Sequence, residues 1–460
     1  MNSIFFRSLA LSFMMVAAAA AQQKVPEQAY RNFKGPNGTV IAAVLMDKSE
    51  TEAVLLMRNG KQIKVPLDKL NDEDQAYCKS WSKEKAVFLK KCHGLTIRQC
   101  LELRGYESFT FRFEINHILI DGKLNGKPAR VMIDTGASTS LLHTPFATQV
   151  GLTVGPMDEK IYGVAGEAPA GWTPVPTLQL GEAVFKDRRI LATDLLKDNP
   201  PGSKTAWDVI LGAEFMNKLD AVISYPDQRI FLRPDRSDQD EAGLGKEGGS
   251  VDYRLFKTKE GKTLRGKVTS KTPTVATFLL VGGKTVQVPI DLFLPDDMAY
   301  LKAWSEEGAQ FLANCQGLTI NELLTLRNYQ MFHFERRGTP PHLFVEGMLN
   351  DNKVTYMIDT GAGNSLLSVA SAKKYKCDVG PMDEKVWGIG GSQPAAVTKI
   401  AKVTMGEAVL TNRKVLSTKL TRGDDNNEDI GYVGLFGADF MRELEAVITY
   451  TENRIFLIQR

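Results

Sequence analysis

The stretch Arg130-Val131-Met132-Ile133-Asp134-Thr135-Gly136-Ala137-Ser138 is an apolar run that stops on a carboxylate, a hydroxyl and a glycine. Working back from it, apolar residues alternate over 118–124, and Asn125-Gly126 supplies a two-residue hairpin turn. The pattern predicts two antiparallel strands, the second of them buried, with Asp134 at its end. A glycine two residues on lets the backbone approach closely, so the carboxylate can accept main-chain N–H bonds. Thr135 can reach across to a facing loop, and Ser138 can donate to the outer carboxylate oxygen. Taken alone, Asp-Thr-Gly is a common turn, and its default reading is structural.

That default weakens because the stretch occurs twice. Residues 132–137 and 357–362 both read MIDTGA, residues 155–160 and 380–385 both read GPMDEK, and both pairs are 225 positions apart. Gly181-Glu182-Ala183 with Gly406-Glu407-Ala408, and Ala221-Val222-Ile223 with Ala446-Val447-Ile448, keep the same offset. Upstream it becomes 223, through Tyr77 and Tyr300, Trp81 and Trp304, Cys92 and Cys315, Arg104 and Arg327, and Tyr106 and Tyr329. A two-residue insertion before His342 accounts for the change. A constant offset over so many segments predicts an internal duplication.

Around Asp134 the sequence resembles the retropepsin-like aspartic proteases, whose mark is Asp-Thr/Ser-Gly-Ala-Ser/Thr. The family's other parts follow in order in both halves. Leu141-Leu142 and Leu366-Leu367 look like the strand behind the catalytic loop. Tyr162-Gly163-Val164-Ala165-Gly166 and Trp387-Gly388-Ile389-Gly390-Gly391 look like the Gly-rich flap hairpin that closes over substrate. Val209-Ile210-Leu211-Gly212 and Gly434-Leu435-Phe436-Gly437 resemble the apolar-apolar-Gly element under that loop. A short helix (213–218, 438–442) and final strands (221–225 and 229–232, 446–450 and 454–458) complete the set. The resemblance implies a mainly β fold of two acid-protease modules. It makes Asp134 and Asp359 catalytic, and Thr135, Gly136, Ser138, Thr360 and Gly361 the support of their loops. Tyr162, Gly163, Gly166, Trp387, Gly388 and Gly391 become flap residues that contact substrate. No metal or cofactor is implied.

Catalysis of this type needs two aspartates from two facing modules. Carboxyls about 3 Å apart cannot both ionise, so they share one proton and their affinities split. The charged partner then acts as general base on a water while the protonated one polarises the scissile carbonyl. One chain carrying both Asp134 and Asp359 predicts an intramolecular pseudodimer, with a homodimer as the other way to pair them. The copies are unequal: Gly363 stands where the first half has Ser138, and Trp387 where it has Tyr162. Asymmetric roles within the dyad follow. On the opposite reading, Gly363 marks decay and the dyad is idle.

The remaining sequence is divided in parallel. At 460 residues the chain exceeds one core. Arg7, an apolar run over 9–16 and five alanines over 17–21 have the order of a secretory signal peptide (1–21), with an uncleaved anchor as the minority reading. No later run is apolar enough to cross a bilayer, so a periplasmic or secreted protein is expected. Short strands over 40–45, 53–57 and 62–65 lead into Val65-Pro66-Leu67, an acidic helix start and Trp81. Those over 264–268, 277–281 and 285–288 lead likewise into Val288-Pro289-Ile290 and Trp304. Both segments (29–81, 252–304) resemble SH3-like small β-barrels of the SLA-homology type. Helical connectors (82–112, 305–337) contain the capping boxes Thr96-x-x-Gln99 and Thr319-x-x-Glu322. The protease modules occupy 113–233 and 338–460, and a polar linker 234–251 separates the halves.

Five cysteines leave an odd thiol in an oxidising compartment. Cys78 and Cys100, both absent from the second half, form the expected disulfide. With no CxxC and no Cys/His cluster, zinc is not expected. A net charge of +3 gives no reason to expect nucleic acid. His117 and His342, which open the matched strands, read as packed or hydrogen-bonded strand residues, and Trp81 and Trp304 as core. Ser140 and Ser365 have no arrangement that would make them nucleophiles, and Asp158 and Asp383 read as exposed turn residues. Two functions compete. One is an exported aspartic endopeptidase that cuts extended peptides of a protein substrate beneath the flaps. The other is a catalytically inactive peptide-binding or cell-envelope scaffold that keeps the cleft without turnover.

Overall fold

The structure, a computed structural model, describes residues 31–459 apart from 36–38, 93–94, 103–105, 182, 196–206, 234–253, 281, 315–318, 326, 328, 339–340 and 421–429. The expected leader over 1–21, the linker over 234–251 and Cys315 lie outside the described residues. The chain divides into two compact units that interleave along the sequence: Met1–Gly105 with Gln239–Tyr329, and Tyr106–Asp238 with Gln330–Arg460. Among the described residues no helix is long and apolar enough to cross a membrane.

In the first unit, Arg31–Lys34, Val40–Lys48, Glu52–Met57 and Gln62–Pro66 form an antiparallel sheet in chain order. Arg254–Lys257, Thr263–Lys271, Val275–Leu280 and Thr285–Pro289 form the matching one. The opening strand of each is an addition to the sequence reading. RNFK and RLFK are too short to show alternation, and a contact remote in sequence fixes them. Buried Asp74, in the first turn of the helix Asp72–Ser80, accepts from Lys34 N at 2.7 Å and pairs with Arg31 at 2.7 Å. Asp297 receives Lys257 N in the same way at 2.8 Å. Alternate residues point inward, so Phe33, Ala43, Leu45, Ala53 and Leu55 make one core and Phe256, Val268, Ala276 and Phe278 the other. Trp81 and Trp304 pack at the edges of these cores. The capping box at Thr319 is reciprocal: Glu322 N donates to Thr319 Oγ1 at 3.0 Å, and Thr319 N to Glu322 Oε2 at 2.9 Å.

The expected Cys78–Cys100 disulfide is not formed. Cys78 is a free thiol, fully buried on the inner face of its helix among Phe33, Leu55 and Leu67, where no second cysteine is needed. Burial, with the charge of Asp74 beside it, pushes the thiol up to about 11.

The second unit is mainly β. In its first half the hairpin His117–Leu124 and Lys127–Ile133 turns at Asn125-Gly126, both with positive φ. Val209–Leu211 runs parallel beside Lys127–Ile133 and antiparallel beside Leu141–His143. In the second half Gly434–Phe436 lies in the same way between Asn352–Ile358 and Leu366–Ser368. Val209–Leu211 and Gly434–Phe436 are buried throughout, which is why each reads as a short continuous apolar run. The short helices Ala213–Lys218 and Ala438–Glu443 follow them.

The two halves then share a sheet. Its strands run Gln330–Arg337, Arg454–Leu457, Val447–Thr449, Val222–Ser224, Arg229–Leu232 and Glu107–Thr110. At the centre Ile223 pairs with Ile448, flanked by Val222 with Thr449 and Ser224 with Val447. Equivalent residues of the two halves therefore face each other across a local twofold. Val222, Ile223, Val447 and Ile448 are fully buried there, and each contributes roughly 1.5–3 kcal/mol of apolar burial.

Candidate active site

Each Asp-Thr-Gly loop begins where its strand leaves the sheet, and the neighbouring parallel strand holds it. Asp134 N donates to Leu211 O at 3.0 Å, and Asp359 N to Phe436 O at 3.1 Å. The chain then turns back on the carboxylate. Asp134 Oδ1 accepts from Gly136 N at 2.8 Å and Ala137 N at 3.0 Å. Asp359 Oδ1 accepts from Gly361 N at 2.9 Å and Ala362 N at 3.0 Å.

The threonines lock the loops to each other. Thr135 N donates to Thr360 Oγ1 and Thr360 N to Thr135 Oγ1, both at 3.0 Å. Each hydroxyl passes its own proton onward, Thr135 to Ile358 O at 3.0 Å and Thr360 to Ile133 O at 2.8 Å. All four groups are satisfied inside a buried layer, where an unpaired one would be costly.

This lock brings the carboxyls of Asp134 and Asp359 into hydrogen-bonding contact. A side chain at Gly136 would collide with the Asp359 carboxyl, and one at Gly361 with that of Asp134, so each loop's glycine makes room for the other's acid. Burial raises the proton affinity of both acids. Asp359 is pushed up further, by burial first and then by the charge of Asp134, whereas the bond from Asp359 and the N–H groups of Gly136 and Ala137 hold Asp134 down. Two buried carboxyls in contact cannot both ionise, so the pair holds one proton between them.

The residues expected in the flaps lie on two hairpins. Glu159–Gly163 pairs with Gly166–Leu180, with Tyr162 opposite Glu167 and Gly163 opposite Gly166. Glu384–Gly388 pairs with Gly391–Met405, with Trp387 opposite Ser392 and Gly388 opposite Gly391. The tips meet: Gly163 lies against Ile389, Gly388 against Val164, and Gln393 Nε2 donates to Val164 O. Val164 packs with Phe344, Leu366 and Leu435 of the second half, and Ile389 with Leu119, Leu141 and Ile210 of the first. The side chains of Tyr162 and Trp387 are 47% and 46% exposed.

One expectation needs correction. Ser138 is not among the groups that hold Asp134; the main-chain N–H groups of Gly136 and Ala137 do that work. Because Gly361 and Ala362 do the same for Asp359, the change from Ser138 to Gly363 removes no support from the second acid. His117 packs edge to face against Trp207, with ring centroids 4.8 Å apart, and burial lowers its proton affinity while the charge of Asp134 opposes that. Ser140 and Ser365 prove to be braces: Ser140 Oγ accepts from Gly212 N at 3.0 Å and Ser365 Oγ from Gly437 N at 2.9 Å. Among the described residues no group of His, Cys, Asp and Glu side chains is arranged to hold a metal ion.

Comparison with known proteins assigns the class of these segments. The family model described as "Aspartyl protease" matches residues 120–215, and the one described as "gag-polyprotein putative aspartyl protease" matches residues 345–443. Each half thus matches an aspartyl-protease family model over a segment that contains its Asp-Thr-Gly loop. Among solved structures, a retropepsin-like aspartic protease from Rickettsia conorii is 18% identical, over 28% of this chain and 98% of that one, with a TM-score of 0.22. EIAV protease, solved in complex with the inhibitor HBY-793, is 27% identical, over 21% of this chain and 83% of that one, with a TM-score of 0.17. No curated protein matches the chain.

Proposed function

We propose that this protein is an exported aspartic endopeptidase that hydrolyses peptide bonds with Asp134, Asp359 and an activated water. One observation carries the reading: two carboxyls from two modules of one chain are hydrogen-bonded together, with proton affinities pushed apart. Paired acids whose environments split them in this way supply both a general base and a general acid. Asp134 takes a proton from water as the oxygen attacks the scissile carbonyl, and Asp359 donates its proton to the developing oxyanion. The C–N bond of the gem-diol intermediate then breaks as Asp134 gives its proton to the leaving nitrogen and a gem-diol hydroxyl gives one to Asp359, which leaves a carboxylic acid, an amine and the singly protonated dyad.

The same proposal reads the chain as a tandem duplication whose two protease modules form an intramolecular pseudodimer. Each module is preceded by an SH3-like small β-barrel of the SLA-homology type and a helical connector. The substrate is a protein or peptide segment, extended between the flaps and the loops. The leader-like sequence over 1–21 supports a periplasmic or secreted location.

The test is cleavage of an unfolded protein substrate from acid to neutral pH. Wild type is expected to cleave, and Asp134→Asn and Asp359→Asn each to lose at least about a thousandfold in kcat/KM. Cleavage that survives both substitutions would place the chemistry elsewhere. A folded wild-type protein that binds peptides and cleaves none would favour the scaffold reading.

A further inference from the structure

Each Asp-Thr-Gly loop returns over the start of a short helix, and both halves spell that start as glycine, alanine and an acid: Gly212-Ala213-Glu214 and Gly437-Ala438-Asp439. The glycine lets the loop lie on it. A Cβ on Gly212 would stand 2.7 Å from both Ala137 O and Glu214 Oε2, and one on Gly437 would stand 2.7 Å from Ser365 N and 2.9 Å from Ala362 O. The alanine N–H reaches the loop, Ala213 N donating to Ala137 O at 2.7 Å and Ala438 N to Ala362 O at 2.9 Å. The acid takes the loop's far end. Ser140 N donates to Glu214 Oε1 at 2.7 Å. In the second half Asp439 Oδ1 accepts from Ser365 N at 2.8 Å, Ser365 Oγ at 2.6 Å and Phe440 N at 2.8 Å. Burial raises the proton affinity of both acids, and the serine donors oppose it.

Ala137 and Ala362 are thereby pinned at both ends. The N–H of Ala362 donates to Asp359 Oδ1 at 3.0 Å while its carbonyl takes Ala438 N, and Ala137 stands in the same way between Asp134 and Ala213. The carboxyls are aimed by two alanines that stay in place only while each loop stays seated on its helix. We infer that Glu214 and Asp439 are positioning residues for the carboxyl pair: each clamps the returning limb of its loop to the helix behind it. The inference rests on the proposed reading of the pair as catalytic. The clamps are unequal. Asp439 takes three bonds on one oxygen, whereas Glu214 holds through Oε1 and its Oε2 is buried without a partner. Losing a clamp and losing a charge move the pair in opposite directions. A loosened Ala362 N–H stabilises the ionised carboxyl less and raises its proton affinity, while removing a neighbouring negative charge lowers it.

The experiment compares Asp439→Ala, which loses acceptor and charge, with Asp439→Asn, which keeps the acceptor oxygen, and with Glu214→Ala. It reads the carbon-13 titration of the Asp134 and Asp359 carboxyls in folded protein. The titration is expected to move upward by about half a pH unit in Asp439→Ala, by less in Glu214→Ala, and not upward in Asp439→Asn. Turnover should follow: kcat falls about tenfold in Asp439→Ala with KM within about twofold, and Asp439→Asn recovers most of that loss. The titration needs no substrate, so it decides the inference even if the wild type cleaves nothing, an outcome that would defeat only the protease reading. An unmoved or lowered titration in Asp439→Ala overturns the inference. So does a folded Asp439→Asn displaced upward as far as Asp439→Ala. Should Asp439→Ala fail to fold, Glu214→Ala carries the same test, and an unmoved or lowered titration there overturns the inference as well.

Discussion

Replacing Thr360 by valine keeps the shape of a buried residue and removes two bonds between the modules. Thr135 N loses its acceptor at 3.0 Å, and Ile133 O loses a donor at 2.8 Å. Leaving a buried N–H unpaired costs about 1–3 kcal/mol, and the second bond adds about 1 kcal/mol. The extra methyl returns at most about 0.8 kcal/mol. The expected loss is therefore about 2–3 kcal/mol, a large fraction of the 5–15 kcal/mol or so that stabilises a typical domain. Urea unfolding of Thr360→Val and Thr135→Val should show matching losses, because the network is reciprocal. Exposed Thr411→Val should stay within about 0.5 kcal/mol of wild type. If Thr360→Val unfolds at the same urea concentration as Thr411→Val, the threonines do not lock the loops and the explanation of the carboxyl contact is wrong.

Three further outcomes follow from the same geometry. Gly136→Ala puts a methyl into the Asp359 carboxyl, so it should abolish cleavage and lower the melting temperature, whereas Gly60→Ala, which meets nothing nearby, should keep full activity. The folded-state proton affinity of Asp359 is raised, so as pH rises the unfolded chain releases this proton first and stability falls across that window. Asp359→Asn should consequently be more stable than wild type at neutral pH, with the advantage shrinking as pH drops toward the ordinary carboxylate range; an advantage that grows toward acid would contradict the assignment of the proton. Cys78, buried with its thiol pushed up to about 11, should resist a thiol reagent at pH 8 in the folded protein and react on unfolding.

Much of the site was legible because the chain states it twice. The matching of residues 132–137 with 357–362 located both acids, and the Asn125-Gly126 turn and apolar alternation placed Asp134 at a strand end. Flap positions followed from glycine pairs that do turn the hairpins. What escaped was held by contacts distant in sequence. The strands Arg31–Lys34 and Arg254–Lys257 exist because Asp74 and Asp297 capture their ends, a fact with no local signature. Ser138 was given a role that main-chain N–H groups perform, and backbone donors leave no mark on residue identity. The cysteine pairing failed because rarity in one copy says nothing about which way a side chain points.

The shared sheet also fixes when the acid pair can come into being. Val222–Ser224 gains its second neighbour, Val447–Thr449, and Gln330–Arg337 its outward one, Arg454–Leu457, only once those late residues have left the ribosome. Such distant pairings pay their loop-closure entropy before they are rewarded, so they form late and slowly. A nascent chain truncated before residue 359 holds one Asp-Thr-Gly loop and no second acid in the same chain to share its proton with. Synthesis order therefore sets when the two acids of one chain can first meet.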